Sequence, residues 1–188
     1  TDITRTYPLG PLTEDEKRFY TWTLQSHIDL AKAVWLDYCE CKMIDTIARE
    51  PLWRLLINYR CGTGHSVSFV GNVHEGPHAL NSRNTTRMRP GMVVTDEPGV
   101  YETDLVGIRI ENELVCVHKA DNQYGTFLGF EPLMFVPIAT SPILPGVLDK
   151  DEIAWLNDYH RQVFAKLAPH LNDEERSWLA EKCAAIGC

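Results

Sequence analysis

The sequence has no Cys-x-x-Cys pair. Its six cysteines, Cys39, Cys41, Cys61, Cys116, Cys183 and Cys188, follow no regular spacing. A chain of 188 residues can bury a core without disulfide staples, so this pattern reads as reduced thiols in a cytoplasmic setting. Cys39-Glu40-Cys41 alone makes no zinc site, because no second pair completes the ligand set. Basic charge is also scarce, with 18 Lys and Arg against 26 Asp and Glu and a net charge of -8. Neutralising a phosphate backbone takes clustered cations, so a nucleic-acid partner is excluded. Long apolar runs are missing too. Residues 127–148 are largely apolar, but Glu131, Pro132, Pro137, Pro142 and Pro145 interrupt them, which rules out a membrane helix there. No Gly-Lys-Ser/Thr follows the Gly62-Thr63-Gly64 turn, so it is not a phosphate loop. Internal repeats, low-complexity tracts and long linkers are absent.

What remains is an ordinary globular composition, 44% apolar and 23% charged. Residues 3–7 alternate weakly and read as a strand stopped by Pro8. Thr13-Glu14-Asp15-Glu16 is a capping box, and a helix is expected to run from it to about residue 34 or 36, with Phe19, Leu24, Ile28, Ala31 and Trp35 as its apolar stripe. A second helix is expected over residues 43–48. Pro51 interrupts it and opens a further turn to residue 56. Residues 58–84 are rich in Gly, His, Asn and Ser and read as loop with a short strand. Arg89-Pro90-Gly91 is a turn, and residues 92–95 are a short strand. Residues 108–117 form one strand with Ile108, Ile110 and Asn112 on one face and Arg109, Glu111 and Glu113 on the other. A helix starting near Asp149 or Asp151 carries Ile153, Leu156, His160, Val163 and Leu167, and Pro169 ends it. A last helix, capped by Asn172, carries Trp178, Leu179, Cys183 and Ile186. Most of the aromatics Trp155, Tyr159, Phe164 and Trp178 are expected in the core.

The residues with chemical potential lie in loops and at strand ends. His65 follows Gly62-Thr63-Gly64, where glycines permit close backbone approach. His74 opens His74-Glu75-Gly76-Pro77-His78. These letters match the zinc-protease motif, but Gly76-Pro77 prevents the helix that would bring both histidines to one face. Cys61 near His65 and His74 is a conceivable thiol nucleophile, but nothing in the sequence marks it as activated. Glu97 and Glu111 are isolated carboxylates beside apolar residues. Each has a plainer reading: Glu97 as a solvent-facing strand end, Glu111 as the ion-pair partner of Arg109. A buried carboxylate must find such a partner or a cation. Asp2 on its own reads as a surface residue.

Taken together, these stretches resemble the M24 metallopeptidases, and within them the Xaa-Pro aminopeptidases. The matching segments are Thr1-Asp2-Ile3-Thr4-Arg5-Thr6, Gly62-Thr63-Gly64-His65, Asn72-Val73-His74-Glu75-Gly76-Pro77, Pro90-Gly91-Met92-Val93, Glu97-Pro98-Gly99-Val100-Tyr101 and Gly107-Ile108-Arg109-Ile110-Glu111-Asn112. Trp155-Leu156-Asn157-Asp158-Tyr159-His160 resembles the C-terminal tail of the family's longer branch.

The resemblance implies an α+β pita-bread fold, a curved antiparallel sheet flanked by helices. Residues 1–140 would form the C-terminal portion of the metallopeptidase domain, and residues 141–188 a helical extension packed on it. It further implies removal of the N-terminal residue from peptides with proline second, at a centre of two divalent ions, usually manganese, with cobalt or zinc as alternatives. Asp2, His65, Glu97 and Glu111 would hold the metals. His65 and His74 would face substrate. His74, Glu97 and Arg109 would act in catalysis, with Tyr101 and Arg109 supporting the carboxylates from behind. Prolidase, which cuts only dipeptides, is the neighbouring alternative, and a metal-free pita-bread module that binds peptides or proteins is a further one.

The family's first metal aspartate lies upstream of the position matched by Asp2. The chain is therefore expected to be an N-terminally truncated fragment that partners the missing N-terminal part and, isolated, binds metal weakly with little activity. Cys61 stands where many relatives carry histidine, and Ser66 and Ser68 where glycines are common. A homodimer through the C-terminal helices is a further expectation.

Overall fold

The computed structural model describes residues 2–187. Its centre is a four-stranded antiparallel sheet with the order β1-β8-β7-β4. These strands are β1 (Val34–Leu36), β4 (Val93–Asp96), β7 (Asn112–Asn122) and β8 (Gly125–Pro132). Two small antiparallel pairs stand beside it, β2 (Gly64–His65) with β3 (Ala79–Leu80) and β5 (Gly99–Glu102) with β6 (Val106–Arg109). Helices α1 (Glu14–Ala31) and α2 (Cys41–Trp53) come before the site strands, and α3 (Lys150–Leu167) and α4 (Asp173–Lys182) come after them. No described helix is long and apolar enough to cross a membrane.

Three of these helices start on the chemistry that their sequences announce. Thr13 Oγ1 accepts from the Glu16 amide while Glu16 reaches back to the Thr13 amide, and Asp149 with Glu152 and Asn172 with Glu175 repeat the arrangement. Each box satisfies amides that the first helical turn leaves without partners. The acidic residues in these first turns also oppose the positive end of the helix dipole.

Two apolar clusters hold the elements together. One packs Leu30, Ile44 and Ala48 of α1 and α2 on Val94, Leu114, Cys116 and Leu128 of the sheet. The other packs Tyr20, Leu24 and Ile28 of α1 on Ile108 and Ile110 and on Leu156, Tyr159 and Val163 of α3. Helix α1 is thus shared, one stretch covering the sheet and another receiving the C-terminal helices.

Several expectations are corrected. Residues 3–7 make a single bridge, Thr4 to Glu111, and not a strand. The Arg5 side chain takes over the role of a ladder there, donating to the carbonyls of Thr4, Glu111, Val136 and Pro137. Helix α1 ends at Ala31, and Val34-Trp35-Leu36 pairs with β8. β-Branched Val34 and aromatic Trp35 suit a pleated, half-buried surface better than a helix end. Pro51 does not break α2, which runs through it to Trp53. It falls in the last turn, where one lost hydrogen bond costs little of the helix. The expected strand over residues 108–117 is two strands in different sheets, β6 and β7, parted at Ile110 and Glu111. Trp155 and Phe164 pack against the second cluster, but Trp178 is 56% exposed.

His160 on α3 is fully buried, and its Nε2 accepts from the Ile138 amide at 3.0 Å. Burial, reinforced by the Arg5 charge, pushes its pKa down to about 4. Because the unfolded chain takes up this proton first, near the ordinary histidine value, the native state loses stability as pH falls through the interval between the two. The shift corresponds to about 3 kcal/mol when fully developed. Denaturant unfolding at pH 7 and pH 4.5 should show a smaller loss in His160→Gln than in the unsubstituted chain. Equal losses would remove His160 from the account.

Candidate metal centre

The register of β4 on β7 builds the site. Thr95 lies opposite Glu113 and Asp96 opposite Asn112. Side chains alternate across a strand, so Thr95 and Glu97 share one face with Glu113 and Glu111. The other face takes Asp96 and Asn112 toward α1, where His27 meets both.

His65 reaches this acidic face from β2. A Cβ on Gly64 would lie 1.7 Å from the Thr95 carbonyl oxygen, so only glycine lets the two backbones come this close. The Thr95 hydroxyl then accepts from the His65 amide at 3.0 Å and donates to Glu97 Oε1 at 2.9 Å. The Glu97 amide donates to the Thr63 carbonyl at 2.7 Å. Imidazole and carboxylate are thereby fixed on a shared frame. His65 Nε2 stands 3.0 Å from Glu97 Oε1 and 3.4 Å from Asp2 Oδ2. The His74 ring stacks on the His65 ring with centroids 3.7 Å apart.

Asp2, His65, His74, Glu97 and Arg109 line one cavity of about 460 Å³, together with Cys61 and Asn81. Arg109 Nη1 contacts Glu97 Oε2 at 3.0 Å, so the plainer reading that pairs Arg109 with Glu111 is replaced by a pair with Glu97. The Tyr101 ring lies 5.7 Å from the Arg109 guanidinium. Glu111 sits beside the cavity wall, almost fully buried, with its carboxylate accepting from the Thr4 hydroxyl. Burial raises its pKa to about 7, and the charges of Glu97 and Asp2 push the same way against the Thr4 hydrogen bond and Arg109.

His78, the second histidine of the His-Glu-x-x-His letters, is turned away. Its Nε2 bonds the Val93 carbonyl at 2.8 Å, and no helix forms over residues 74–78. Thr4, Thr95 and Glu113 were missed as members of the site. The last accepts from the Asp2 amide at 3.1 Å. Period-two spacing from Glu97 and Glu111 is the signal that would have found Thr95 and Glu113. Thr4 had none, because its contact joins residues 107 apart in the chain.

The donor set suits a hard divalent cation. The Asp2 and Glu97 carboxylates meet one imidazole, Glu111 lies close enough to feel both their charges, Glu113 holds the Asp2 amide, and Arg109 pairs with Glu97. Among the described residues, however, no three His, Cys, Asp or Glu side chains are arranged so that they could hold a metal ion. His65 touches the two carboxylates directly.

Residues 1–118 match the model of metallopeptidase family M24, and residues 126–186 match the C-terminal region of peptidase M24. The chain belongs to metallopeptidase family M24. It is 40% identical to Aminopeptidase P1 of Lotus japonicus, over 100% of this chain and 29% of that protein. It superimposes on the X-prolyl aminopeptidase of Caenorhabditis elegans with a TM-score of 0.93 at 38% identity, over 99% of this chain and 31% of that one. That enzyme is described as cytosolic with a di-nuclear active site. An Xaa-Pro dipeptidase from Bacillus anthracis matches less well, with a TM-score of 0.62 at 26% identity over 73% of this chain and 36% of its own. The pita-bread fold is therefore that of this M24 chain, which spans less than a third of the length of the Lotus protein.

The Gly64 approach is open to test. Gly64→Ala forces β2 off Thr95, and overpacking of this kind costs about 1–3 kcal/mol. Urea unfolding should show the loss, while Gly76→Ala, where no atom lies within 4 Å of the added methyl, should show much less. A Gly64→Ala midpoint equal to that of the unsubstituted chain would contradict the geometry.

Proposed function

We propose that this chain is the C-terminal portion of the catalytic domain of an Xaa-Pro aminopeptidase, which removes the N-terminal residue of peptides with proline second. The observation that carries the reading is the convergence of Asp2 and Glu97 on His65 Nε2, with His74 stacked alongside at the cavity wall. The higher identity and TM-score against the Caenorhabditis elegans aminopeptidase than against the dipeptidase support the substrate class.

In this reading Asp2, His65, Glu97 and Glu111 would hold two divalent ions, manganese by preference. Bound, the ions supply Lewis acidity, acidifying water and offsetting negative charge on the substrate carbonyl oxygen. The chain's own groups do the rest. Glu97 accepts the proton of the attacking water and holds it for the leaving proline nitrogen. Arg109 keeps the Glu97 carboxylate oriented through its 3.0 Å contact, and Tyr101 covers the guanidinium. His74, exposed on its loop and free to meet a ligand from the open side, donates to the substrate carbonyl oxygen. His65, in contact with the same cavity, also lies on the substrate path.

Further ligands and the walls of the specificity pocket come from the rest of a longer polypeptide. The small share of its relatives that the chain covers supports this, as does the direct contact between His65 and the carboxylates. A cytosolic setting and pairing of two copies through α3 and α4 belong to the same proposal.

The full-length protein with manganese should cleave tripeptides and longer peptides of the Xaa-Pro type, and chelation should abolish the activity. Cleavage confined to dipeptides would make it a prolidase. The 188-residue chain alone should bind manganese weakly and turn over little, so tight binding of two ions by it would overturn the division of the site.

A further inference from the structure

Behind the candidate centre lies a polar network that the proposed chemistry does not use. Asp96 and Asn112 face each other across β4 and β7, each one residue from a proposed ligand, Glu97 or Glu111. His27 of α1 spans the pair. Its Nδ1 lies 3.0 Å from Asp96 Oδ2 and 3.3 Å from the Asp96 carbonyl, and its Nε2 lies 3.3 Å from Asn112 Nδ2. All three side chains are completely buried.

The network has a direction. Arg5 Nη2 donates to Asn112 Oδ1 at 2.8 Å, which commits that oxygen as the acceptor and leaves Nδ2 as the donor to His27 Nε2. The His27 proton is then on Nδ1, pointing at Asp96. Arg5 also donates to the Glu111 carbonyl at 2.6 Å, gripping the backbone at the ligand itself. From α3, the Tyr159 hydroxyl accepts from Arg5 Nη2 at 2.9 Å and lies 3.3 Å from Asn112 Oδ1. Trp155 stacks on Tyr159 and sets its edge against the His27 ring. Apolar side chains would fill this space at lower desolvation cost. The Asp96 carboxylate is met by His27 through a close ion-pair approach and not an aligned hydrogen bond, so the buried network depends on the arrangement of the backbone that it joins.

We propose that Arg5, His27, Asp96, Asn112 and Tyr159 form a positioning network through which helices α1 and α3 set the spacing of Glu97 and Glu111. It rests on the reading of those glutamates as metal ligands. In this role Tyr159 and Asn112 are positioning residues: they reach the centre only through the backbone on either side of the two carboxylates. Helix α3 thereby contributes to metal affinity without touching the cavity.

The test uses the full-length protein and manganese binding by calorimetry, with thermal unfolding of the metal-free form measured in parallel. Tyr159→Phe removes the hydroxyl, Asn112→Asp removes the donor to His27, and Val163→Ala creates a cavity one turn along α3 away from the network. Tyr159→Phe and Asn112→Asp should each weaken manganese binding about tenfold, the loss typical of groups that orient metal ligands. Val163→Ala should lower stability at least as much as Tyr159→Phe and leave affinity unchanged. Unaltered affinity in both network variants, or an equal loss in Val163→Ala, would overturn the proposal. Glu97→Ala separates the two levels. If it abolishes binding while the network variants bind normally, only the network fails; if it binds normally, the ligand reading fails with it.

Discussion

The pairing of β4 with β7 is the constraint on which the site depends. Asp96 opposite Asn112 puts Thr95, Glu97, Glu111 and Glu113 toward one side and Asp96 and Asn112 toward the other. A slip of one residue would exchange the two sets, driving the glutamates into the packing beneath α1 and presenting Asp96 to the cavity. Leu114 and Val94, both fully buried in the sheet core, hold the register, since the same slip would expose them.

This pairing concentrates acids, and the rest of the neighbourhood offsets the concentration. Arg109 takes Glu97, the Thr4 hydroxyl and the Arg5 guanidinium tie down Glu111 and its carbonyl, and Glu113 caps the Asp2 amide. Burial still keeps Glu111 well above the ordinary carboxylate range. A cation bound nearby would relieve that penalty. The close contact of Gly64 with Thr95 serves the same end by bringing the imidazole over this wall.

The sequence was most legible where a side chain answers a neighbour within one helical turn. The capping boxes at Thr13, Asp149 and Asn172 are of this kind, and the helices begin at those positions. It was least legible where packing overrode propensity. Trp35 fits the helical stripe of α1 by spacing, but the open edge of β8 captures it. Pro51 reads as a breaker, but it falls where the helix has few bonds left to lose. The alternation of residues 108–117 is real, though the chain changes sheets within it at Ile110. Asp2, His65, His74, Glu97, Glu111, Arg109 and Tyr101 were named as candidates only by their motifs together, since Asp2, Glu97 and Glu111 each had a plainer reading alone.

The sequence by itself determined the family, the helix starts and the failure of the His-Glu-x-x-His letters to form a helical zinc motif, and it named the residues proposed to carry the chemistry. These follow from local chemistry: side chains that cap nearby amides, a proline that forbids a helix, and residue types ordered along the chain. Only the tertiary structure decided that Arg109 pairs with Glu97, that Thr95 joins His65 to Glu97, and that His27, Asn112 and Tyr159 meet behind the glutamates. Those contacts join residues far apart in the chain, and their partners are chosen by strand register and helix packing, which no local pattern records.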